Sequence, residues 1–468
     1  MDRLPRGNTG LLRRGLLWYN SLVLKGIREM DTIVVKFGGT SLASAEQFRK
    51  VKNIIAMNPA RRLVVASAPG KRFAEDIKVT DLLLECYENA VAKKPVGECL
   101  TAVRDRFYEI IKELGIDFPL DHEMDIIRRN LMKKPDRDYM ASRGEYLNSQ
   151  ILALYLGYTF VDPAWCVCFD ENGNYDEGMT KRAMAAALHP LKTAVVAGFY
   201  GADEAGVIHT FSRGGSDITG SIVAQATEAD LYENWTDVSG LKAADPRIVS
   251  HARTVEYLSY RELRTLSYMG ASVLHTDAVL PAATQDIPIN IRNTNEPDDA
   301  GTMIVRKIPK GKKKYPMVGV AGRSGMSVIQ VEKVMVSDGA GFSALLLDIF
   351  KNHNLPFEQC LTGIDTVTLI IQTELFDEVK EQLLEEIRTT LQPDYLGVFN
   401  GISVIAVVGE KDTESNNANV KVLSALTDAG IEIITMNQGA GKLNLLIGVL
   451  EDRYQDAIKT IYQVMEGR

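Results

Sequence analysis

The sequence lacks the excess of positive charge that marks proteins which bind nucleic acid or anionic membranes. Its 468 residues contain 53 Lys and Arg against 61 Asp and Glu, a formal net charge of -8. This balance argues against a generic nucleic-acid binder and against adhesion to an anionic membrane, so we expect neither partner. The negative net charge is still compatible with a local basic pocket that binds a nucleotide.

Cysteine is also scarce, with five residues in the chain. An odd number at these spacings matches no zinc-binding pattern, because Cys166 and Cys168 have no partner pair elsewhere. No metal centre is therefore predicted. We expect reduced thiols in a cytoplasmic protein. The five are Cys86, Cys99, Cys166, Cys168 and Cys360.

Residues 1–30 combine several basic residues with a short apolar run at 16–19. A targeting peptide has a similar composition, but here no long apolar core precedes a small-residue cleavage site. The run is also too short to span a bilayer. Met30 stands directly before the first strong strand and could be the true start. We favour an N-terminal extension without a role in the fold, with a targeting peptide as the alternative.

The chain is longer than one compact core usually becomes, so two or three domains are expected. Over residues 31–306, short β-rich runs alternate with amphipathic helices, which predicts an α/β domain with a mainly parallel sheet between helix layers. The basic segment 307–314 is predicted to be a linker. The predicted strands are 33–35, 63–66 and 193–197, and the predicted helices are 44–57, 77–92, 139–156 and 215–227.

A smaller pattern of strand, helix, two strands and helix occurs twice after the linker, which indicates an internal duplication. We assign residues 316–400 to the first unit and 401–468 to the second. The second unit ends on a helix and lacks a closing strand. The strand at 316–322 is predicted to supply it, so that the first unit is inserted within the second.

Lys36, Gly38 and Gly39 lie in a motif directly after the first strand. Adjacent glycines allow the backbone N–H groups to approach a bulky anion, and the lysine adds positive charge where phosphate oxygens would lie. The lysine precedes the glycines, so this is not a Walker P-loop. Alone, the motif fits equally well a glycine turn after an edge strand.

A second glycine motif, residues 211–217, opens the helix at 215–227. Glycines before a helix N-terminus form an anion site. Ser216 or Asp217 could instead be a simple N-cap. Capping does not require Arg213 and two glycines together, so we favour the anion site.

Glu145 and Ser149 lie one turn apart on a predicted helix and share a face. Taken alone, this segment is best explained as an exposed carboxylate on a solvated helix. The segment 235–247 follows a probable strand and has the Asp, Gly and Pro residues of a structured turn. Arg247 could contact phosphates there, with a plain turn as the alternative.

In combination these motifs are distinctive, and the chain resembles the aspartate kinase branch of the amino-acid kinase family. The resemblance rests on the strings KFGGTS, SAPGKR followed by VTD, SRGGSD and WTDV…ADPR, and it runs from Asp31 to about Ile304. The two C-terminal units resemble a pair of ferredoxin-like βαββαβ ACT domains. The resemblance thus covers nearly all of the chain beyond residue 30.

The resemblance implies an ATP-dependent kinase that converts L-aspartate to 4-phospho-L-aspartate, the first step towards lysine, threonine and methionine. Lys36, Asp217 and Arg213 would be catalytic, with Asp217 orienting Lys36. Glu145 would bind the α-amino group of aspartate and Arg213 its α-carboxylate. The implied aspartate-binding residues are Ser41, Thr80, Glu145, Arg213 and Ser216. The implied ATP-binding residues are Lys36, Gly38, Gly39, Gly214, Gly215, Thr236, Asp237, Lys242 and Arg247.

Elementary chemistry agrees with this implication. The aspartate side chain is ionised at neutral pH, so its oxygen attacks without a general base. Catalysis then depends on holding two anions together and neutralising the transferred charge. Mg²⁺ is expected to arrive on ATP with few protein ligands.

The ACT pair implies feedback control by a small amino acid, lysine before threonine, and a homodimer or tetramer through these domains. The implied effector-binding residues are Met335, Ser337, Gly341, Phe342 and Glu358.

Two departures from the family concern the adenine site: Ser272 stands where many members have a lysine, and Lys242 where some have a tyrosine.

Three other functions are alternatives to this one. A kinase for glutamate, N-acetylglutamate or a nucleoside monophosphate fits the Glu145 segment, the WTDV…ADPR string and the ACT units poorly. A catalytically dead amino-acid sensor is disfavoured because Lys36, Arg213 and Asp217 are intact. A bifunctional kinase–homoserine dehydrogenase is not expected, because no nicotinamide-binding domain follows in this sequence.

Overall fold

The computed structural model describes residues 32–212, 214–271, 274–312, 315–334, 341–409, 418–438 and 444–467. These residues divide into two compact units. The first takes the described residues of Met1–Leu241, Thr254–Leu263 and Ser272–Lys312, and the second takes those of Lys242–Arg253, Arg264–Ala271 and Lys313–Arg468. Two segments inside the predicted 31–306 domain thus group with the C-terminal part. The boundaries given above stay a proposal. The predicted extension 1–30 lies outside the described residues.

The first unit is built on an eight-stranded sheet. Its strands run in the order β3-β4-β2-β1-β7-β9-β10-β8, and all neighbours pair in parallel except β9 and β10. This confirms the expected mainly parallel α/β architecture. The eight strands are β1 Ile33–Phe37, β2 Leu63–Ala66, β3 Thr159–Val161, β4 Ala194–Ala197, β7 Leu231–Thr236, β8 Tyr257–Ser259, β9 Ile289–Asn293 and β10 Thr302–Val305, and a separate hairpin has β5 Tyr200–Ala202 and β6 Ile208–Thr210.

Helices supply the rest of the first unit. The sequence predicted four of them to within two residues at each end. Their bounds are α1 Ala45–Ala56, α2 Val79–Val91, α3 Gly97–Leu114, α4 Leu120–Lys133, α5 Arg137–Leu156, α6 Glu177–Leu188, α7 Gly215–Ala226, α8 Tyr260–Tyr268, of which the first four residues belong to this unit, and α9 Thr276–Thr284.

The central strand β1 has a different environment on each face, because successive side chains of a strand point to opposite sides. Ile33, Val35 and Phe37 belong to one hydrophobic core together with residues of α1 to α5. Lys36 is directed to the opposite face, where α7 packs against β1. The apolar residues therefore hold the strand in place, and one charged residue is left for the other face.

The second unit contains one antiparallel sheet of six described strands, in the order β12-β13-β11-β14-β16-β15. Its elements are β11 Met317–Glu332, α10 Phe342–Asn352, β12 Gln359–Thr362, β13 Thr366–Gln372, α11 Thr373–Leu391, β14 Tyr395–Gly409, α12 Ala418–Asp428, β15 Thr435–Gln438, β16 Asn444–Leu450 and α13 Tyr454–Met465.

Two long strands, β11 and β14, each serve both repeats. The C-terminal part of β11 pairs with the start of β14, as in Val328 with Phe399, and the N-terminal part pairs with its end, as in Val320 with Val407. The start of β14, which closes the first repeat, was not predicted from the sequence. The second pairing supports the proposal that residues 316–322 close the second repeat.

The expectation of reduced thiols is wrong for one pair. Cys86 on α2 and Cys99 on α3 form a disulfide between neighbouring helices, with a Cα–Cα distance of 5.6 Å. A sequence cannot show which helices pack together, so spacing gave no signal for it. Cys166, Cys168 and Cys360 are free. Within the described chain, no helix is both long enough and apolar enough to cross a bilayer.

Candidate active site

The site residues of the first unit gather at the carboxyl edge of the parallel sheet. Strands β1, β2, β4, β7 and β9 run in one direction, so their C-terminal loops all open at the same edge. In open α/β sheets this edge is where ligands bind. The glycine motif after β1 and the start of α7 both lie there.

Lys36 and Asp217 form an ion pair at this edge. The ammonium Nζ lies 2.5 Å from Oδ1 of Asp217, and the two side chains are 9% and 20% exposed. Asn234, the neighbour of Lys36 in the β1–β7 register, donates from Nδ2 to the same carboxylate oxygen at 2.9 Å. The hydroxyl of Tyr232 donates to the backbone carbonyl of Asp217 at 3.1 Å. Asn234 thus fixes the carboxylate and Tyr232 the backbone of Asp217, and the carboxylate holds the lysine.

The loop after β1 requires its glycines because other backbone segments approach it closely. Gly38 donates its N–H to the carbonyl of Trp235 at 2.9 Å, and Gly70 donates to the carbonyl of Gly39 at 2.8 Å. A Cβ at Gly39 would lie 2.9 Å from the carbonyl oxygen of Ala68. β1 is flanked by β2 and β7, so the alternative of a turn after an edge strand is wrong.

Helix α7 begins without a side-chain cap. Its N-cap is Gly214, at φ 61°, which has no side chain to bond the N–H groups of the first turn. The alternative that Ser216 or Asp217 is the N-cap is therefore wrong. A Cβ at Gly215 would meet the ring of Phe199, which itself has φ 83°. Arg213 lies outside the described residues.

Glu145 is buried rather than exposed. Only 6% of the residue is exposed, which overturns the solvated-helix explanation. Burial raises the pKa of Glu145 to about 8, although an N–H of Ala68 and the charges of Lys36 and Arg143 act in the opposite direction. Within the described residues, its Oε2 and the Oγ of Ser149 have no hydrogen-bond partner. A buried carboxylate with a free oxygen suits a cationic ligand group.

Three further predicted aspartate-binding residues, Ser41, Thr80 and Ser216, lie in the first unit. Ser41 is buried, and its Oγ lies 2.7 Å from Oγ1 of Thr294. Thr80 lies half-buried in the first turn of α2. The Oγ of Ser216 faces the backbone at Gly198, where a Cβ would lie 2.5 Å from it.

The predicted nucleotide residues fall into both units. Thr236 ends β7, and its hydroxyl donates to the carboxylate of Asp237 at 3.2 Å. Lys242 and Arg247 belong to the second unit. There the guanidinium of Arg247 is 86% exposed and lies 2.6 Å from a carboxylate oxygen of Asp245.

The predicted effector residues lie in the second unit. Met335 and Ser337 fall outside the described residues. Gly341 precedes α10, and Phe342 is buried in the core beneath that helix. Glu358 is 10% exposed at its side chain and lies 3.3 Å from Arg323.

Three residues whose roles depend on distant partners were not predicted from the sequence. Asn234, Thr294 and Phe199 contact predicted site residues but lie in no glycine motif. Asn234 carried one signal, since it is an amide in a strand that also contains Leu231, Tyr232 and Trp235 and is buried over most of its length. A buried polar residue there needs a partner.

Comparisons with known proteins agree with this architecture. The model of the amino acid kinase family matches residues 31–293. Aspartokinase 3 of Bacillus subtilis is 35% identical over 448 residues, which is 92% of this chain and 98% of that protein. The aspartate kinase structure of Clostridium acetobutylicum is 38% identical, with a TM-score of 0.83, and covers 93% of this chain and all of that one.

A more distant structure, E. coli aspartokinase III in complex with aspartate and ADP, has 23% identity and a TM-score of 0.73, which shows the shared fold. It covers 93% of this chain and 100% of that one. With the parallel sheet, the glycine loops and the Lys36–Asp217 pair, the chain belongs to the amino acid kinase family. Within that family it is an aspartate kinase.

Proposed function

We propose that this aspartate kinase forms 4-phospho-L-aspartate from ATP and L-aspartate at the carboxyl edge of the sheet, with the residue roles given below. One observation carries the proposal: a lysine fixed by a carboxylate lies beside a glycine loop, on the same edge as a buried carboxylate with a free oxygen. The first part suits a phosphoryl group, and the second suits the ammonium group of an amino acid.

In the proposed reaction, a side-chain oxygen of aspartate attacks the γ-phosphorus of ATP. The bond from that phosphorus to the β-phosphate oxygen breaks, and ADP leaves. Lys36 stabilises the negative charge on the transferring group, and the loop at Gly38 and Gly39 contacts the phosphates. Asp217 keeps the lysine in place. The nucleophile is already ionised, so none of these residues removes a proton.

Glu145 binds the α-amino group of aspartate. An ammonium next to its free oxygen would supply the counter-charge that the buried carboxylate otherwise lacks. Arg213 is proposed for the α-carboxylate because a guanidinium matches it with two parallel hydrogen bonds. Ser41, Thr80 and Ser216 complete the aspartate pocket in this proposal.

For the nucleotide, we propose contacts by Gly214 and Gly215 at the start of α7, where free N–H groups favour phosphate. Thr236, Asp237, Lys242 and Arg247 are the further proposed ATP-binding residues. Within the described residues, no three His, Cys, Asp or Glu side chains lie close enough to hold a metal ion. Mg²⁺ is proposed to arrive on ATP and to neutralise phosphate charge when bound.

Regulation is proposed to act through the C-terminal unit. Lysine is the first candidate effector, supported by a relative described as lysine-sensitive, the aspartokinase 3 of E. coli, which is 24% identical over 89% of this chain. Threonine is the second candidate. Association into a homodimer or tetramer through the ACT domains and a cytoplasmic location stay predictions, as does the place of the reaction at the start of lysine, threonine and methionine synthesis.

The test measures aspartate-dependent ADP release from ATP and Mg²⁺, with hydroxylamine trapping of the acyl phosphate. Activity with aspartate and not with glutamate supports the proposal, and inhibition by lysine or threonine identifies the effector. Folded protein that binds an amino acid but releases no ADP would indicate a sensor instead.

A further inference from the structure

Arg106 is a buried guanidinium on α3. Among the described residues, its hydrogen bonds and its ion pair go to one loop of the first unit. The loop connects β2 to α2 through residues 69–78. The Arg106 side chain is 7% exposed. In the sequence it is distant from both Lys36 and Asp217. Burying a charge is costly unless its hydrogen bonds are made, so the identity of its partners shows what the residue holds.

The partners of Arg106 lie at the two ends of this loop. Its Nη2 donates to the carbonyl of Gly70 at 2.9 Å, and its Nη1 donates to the carbonyl of Ile77 at 2.9 Å. The same Nη1 lies 3.0 Å from a carboxylate oxygen of Asp76. One planar group thus links the first turn of the loop to its last turn.

Other contacts close the same loop. The carboxylate of Asp76 accepts hydrogen bonds from the backbone N–H and the Nε of Arg72, each at 2.9 Å. The N–H of Val79, the first residue of α2, donates to the carbonyl of Pro69 at 3.2 Å. The position of the loop therefore fixes where α2 begins, and with it the side chain of Thr80.

The other side of Gly70 faces the glycine motif after β1. The N–H of Gly70 donates to the carbonyl of Gly39 at 2.8 Å, and a Cβ at Gly70 would lie 2.6 Å from the carbonyl carbon of Gly39. Gly70 is thus held between Arg106 and Gly39. A shift of the loop away from Arg106 changes the support of Gly39 directly.

We propose that Arg106 is a positioning residue for phosphoryl transfer, which holds Gly70 so that Gly39 and the start of α2 keep the geometry required by the transferring phosphate. This inference rests on the proposed phosphate contact of Gly39. Arg106 acts through Gly70 and contacts no reacting atom. Misplacement by about 1 Å of a group that positions a substrate can cost about a hundredfold in rate.

The test compares Arg106→Met, Arg106→Lys and Arg104→Met in steady-state kinetics. Arg104 is the matched control, since it lies on the same helix, is 40% exposed and pairs with Asp121. We expect Arg106→Met to lower kcat about tenfold to a hundredfold, with KM for ATP and aspartate changing by less than about threefold. Arg106→Lys should recover part of the loss, because an ammonium can still donate to one carbonyl. Arg104→Met should retain wild-type kinetics.

Gly70→Ala provides a second route to the same geometry. The added Cβ would push Gly39 away without altering Arg106, and we expect the same fall in kcat at nearly constant KM. Normal kcat in folded Arg106→Met, or in folded Gly70→Ala, overturns the inference. If Arg106→Met does not fold, Gly70→Ala and Arg106→Lys decide the question. Failure of all three to fold would assign Arg106 to fold stability alone and also overturn it. An inactive wild-type enzyme would instead contradict the proposed function.

Discussion

The Lys36 ammonium and the Asp217 carboxylate lie 2.5 Å apart, joining the end of β1 to the first turn of α7. Both side chains are largely withdrawn from solvent, so the pair is little weakened by salt. A lysine has a long flexible side chain, and a fixed partner removes much of that freedom before a substrate arrives. The pair therefore gives the site a cation in a defined place, as electrostatic catalysis requires.

Replacement of Lys36 by Met should lower kcat by about a hundredfold to a thousandfold, the usual effect of losing one group that stabilises transition-state charge. KM for ATP and aspartate should change by less than about threefold, because the lost contact strengthens in the transition state. Steady-state kinetics with hydroxylamine trapping measure both quantities.

Lys50→Met is the matched control for this change. Lys50 lies on α1 and pairs with Glu46 one turn earlier, at 3.1 Å. Its replacement should leave kcat and both KM values within about twofold of wild type, because a surface pair of this kind contributes little. A Lys36→Met enzyme with normal kcat and a raised KM for ATP would show that the lysine only binds substrate.

Asn234→Leu should lower kcat about tenfold. Its Nδ2 bond to Asp217 is a hydrogen bond to a charged group, for which about 1.5–3 kcal/mol is typical. Without it the carboxylate loses one of the two groups that fix it. Asn174→Leu is the control, since Asn174 makes the same kind of bond to Asp170, at 2.9 Å, on an exposed loop. Equal kinetics in the two variants would rule out a role for Asn234 in positioning.

Glu145 should give the enzyme a characteristic pH dependence. Burial raises the pKa of Glu145 to about 8 in the free enzyme, so the carboxylate is mostly protonated at neutral pH. The ionised form is the one that pairs with the substrate ammonium. We expect kcat/KM for aspartate to rise with pH from 6, to reach half its maximum near about 8 and to level off above that pH, since this quantity reports the free enzyme. A flat profile over this range would contradict the assignment.

Glu145→Gln should remove the rise of kcat/KM with pH and raise KM for aspartate at least about tenfold, since a neutral amide cannot supply the negative charge that pairs with the substrate ammonium.

The Glu145→Gln replacement should also stabilise the fold. Between pH 4.5 and about 8 the folded carboxyl holds a proton that the unfolded chain releases, so wild-type stability falls as pH rises through this window. We expect a higher Tm for Glu145→Gln than for wild type at pH 8, and little difference below pH 4.5. Glu85→Gln, at an exposed position of α2, should show neither effect.

These residues also show what the sequence could and could not predict. Lys36, Gly38 and Gly39 are contiguous, so their chemistry is visible in the order of the residues. The contact between Asn234 and Asp217 depends on β1 pairing with β7, which is a non-local event. The burial of Glu145 could not be predicted from its own segment, because α5 is buried on several sides and carries buried polar residues, a pattern that also fits a solvated helix.

In the C-terminal unit, the repeats could be predicted from the sequence, but the full extent of one strand could not. The alternating pattern indicated two repeats, and ferredoxin-like units were the correct expectation. The start of β14, near Tyr395, could not be predicted because Asn400 and Gly401, which are typical turn residues, interrupt the strand pattern. Only the pairing with β11 shows that one continuous strand serves both repeats.

Glu358 offers the most direct test of the proposed regulation. Its carboxylate accepts a hydrogen bond from Gln372 at 3.0 Å and lies 3.3 Å from Arg323, within the second unit. If lysine is the effector and its side-chain ammonium binds here, Glu358→Gln should raise the lysine concentration for half-inhibition at least about tenfold, as expected from losing a charged hydrogen bond. The kcat without lysine should stay within about twofold of wild type. Glu385→Gln is the control, because Glu385 is exposed on α11 and lies 3.7 Å from Arg388. An unchanged inhibition curve for Glu358→Gln, in an enzyme that lysine does inhibit, would remove Glu358 from the effector site.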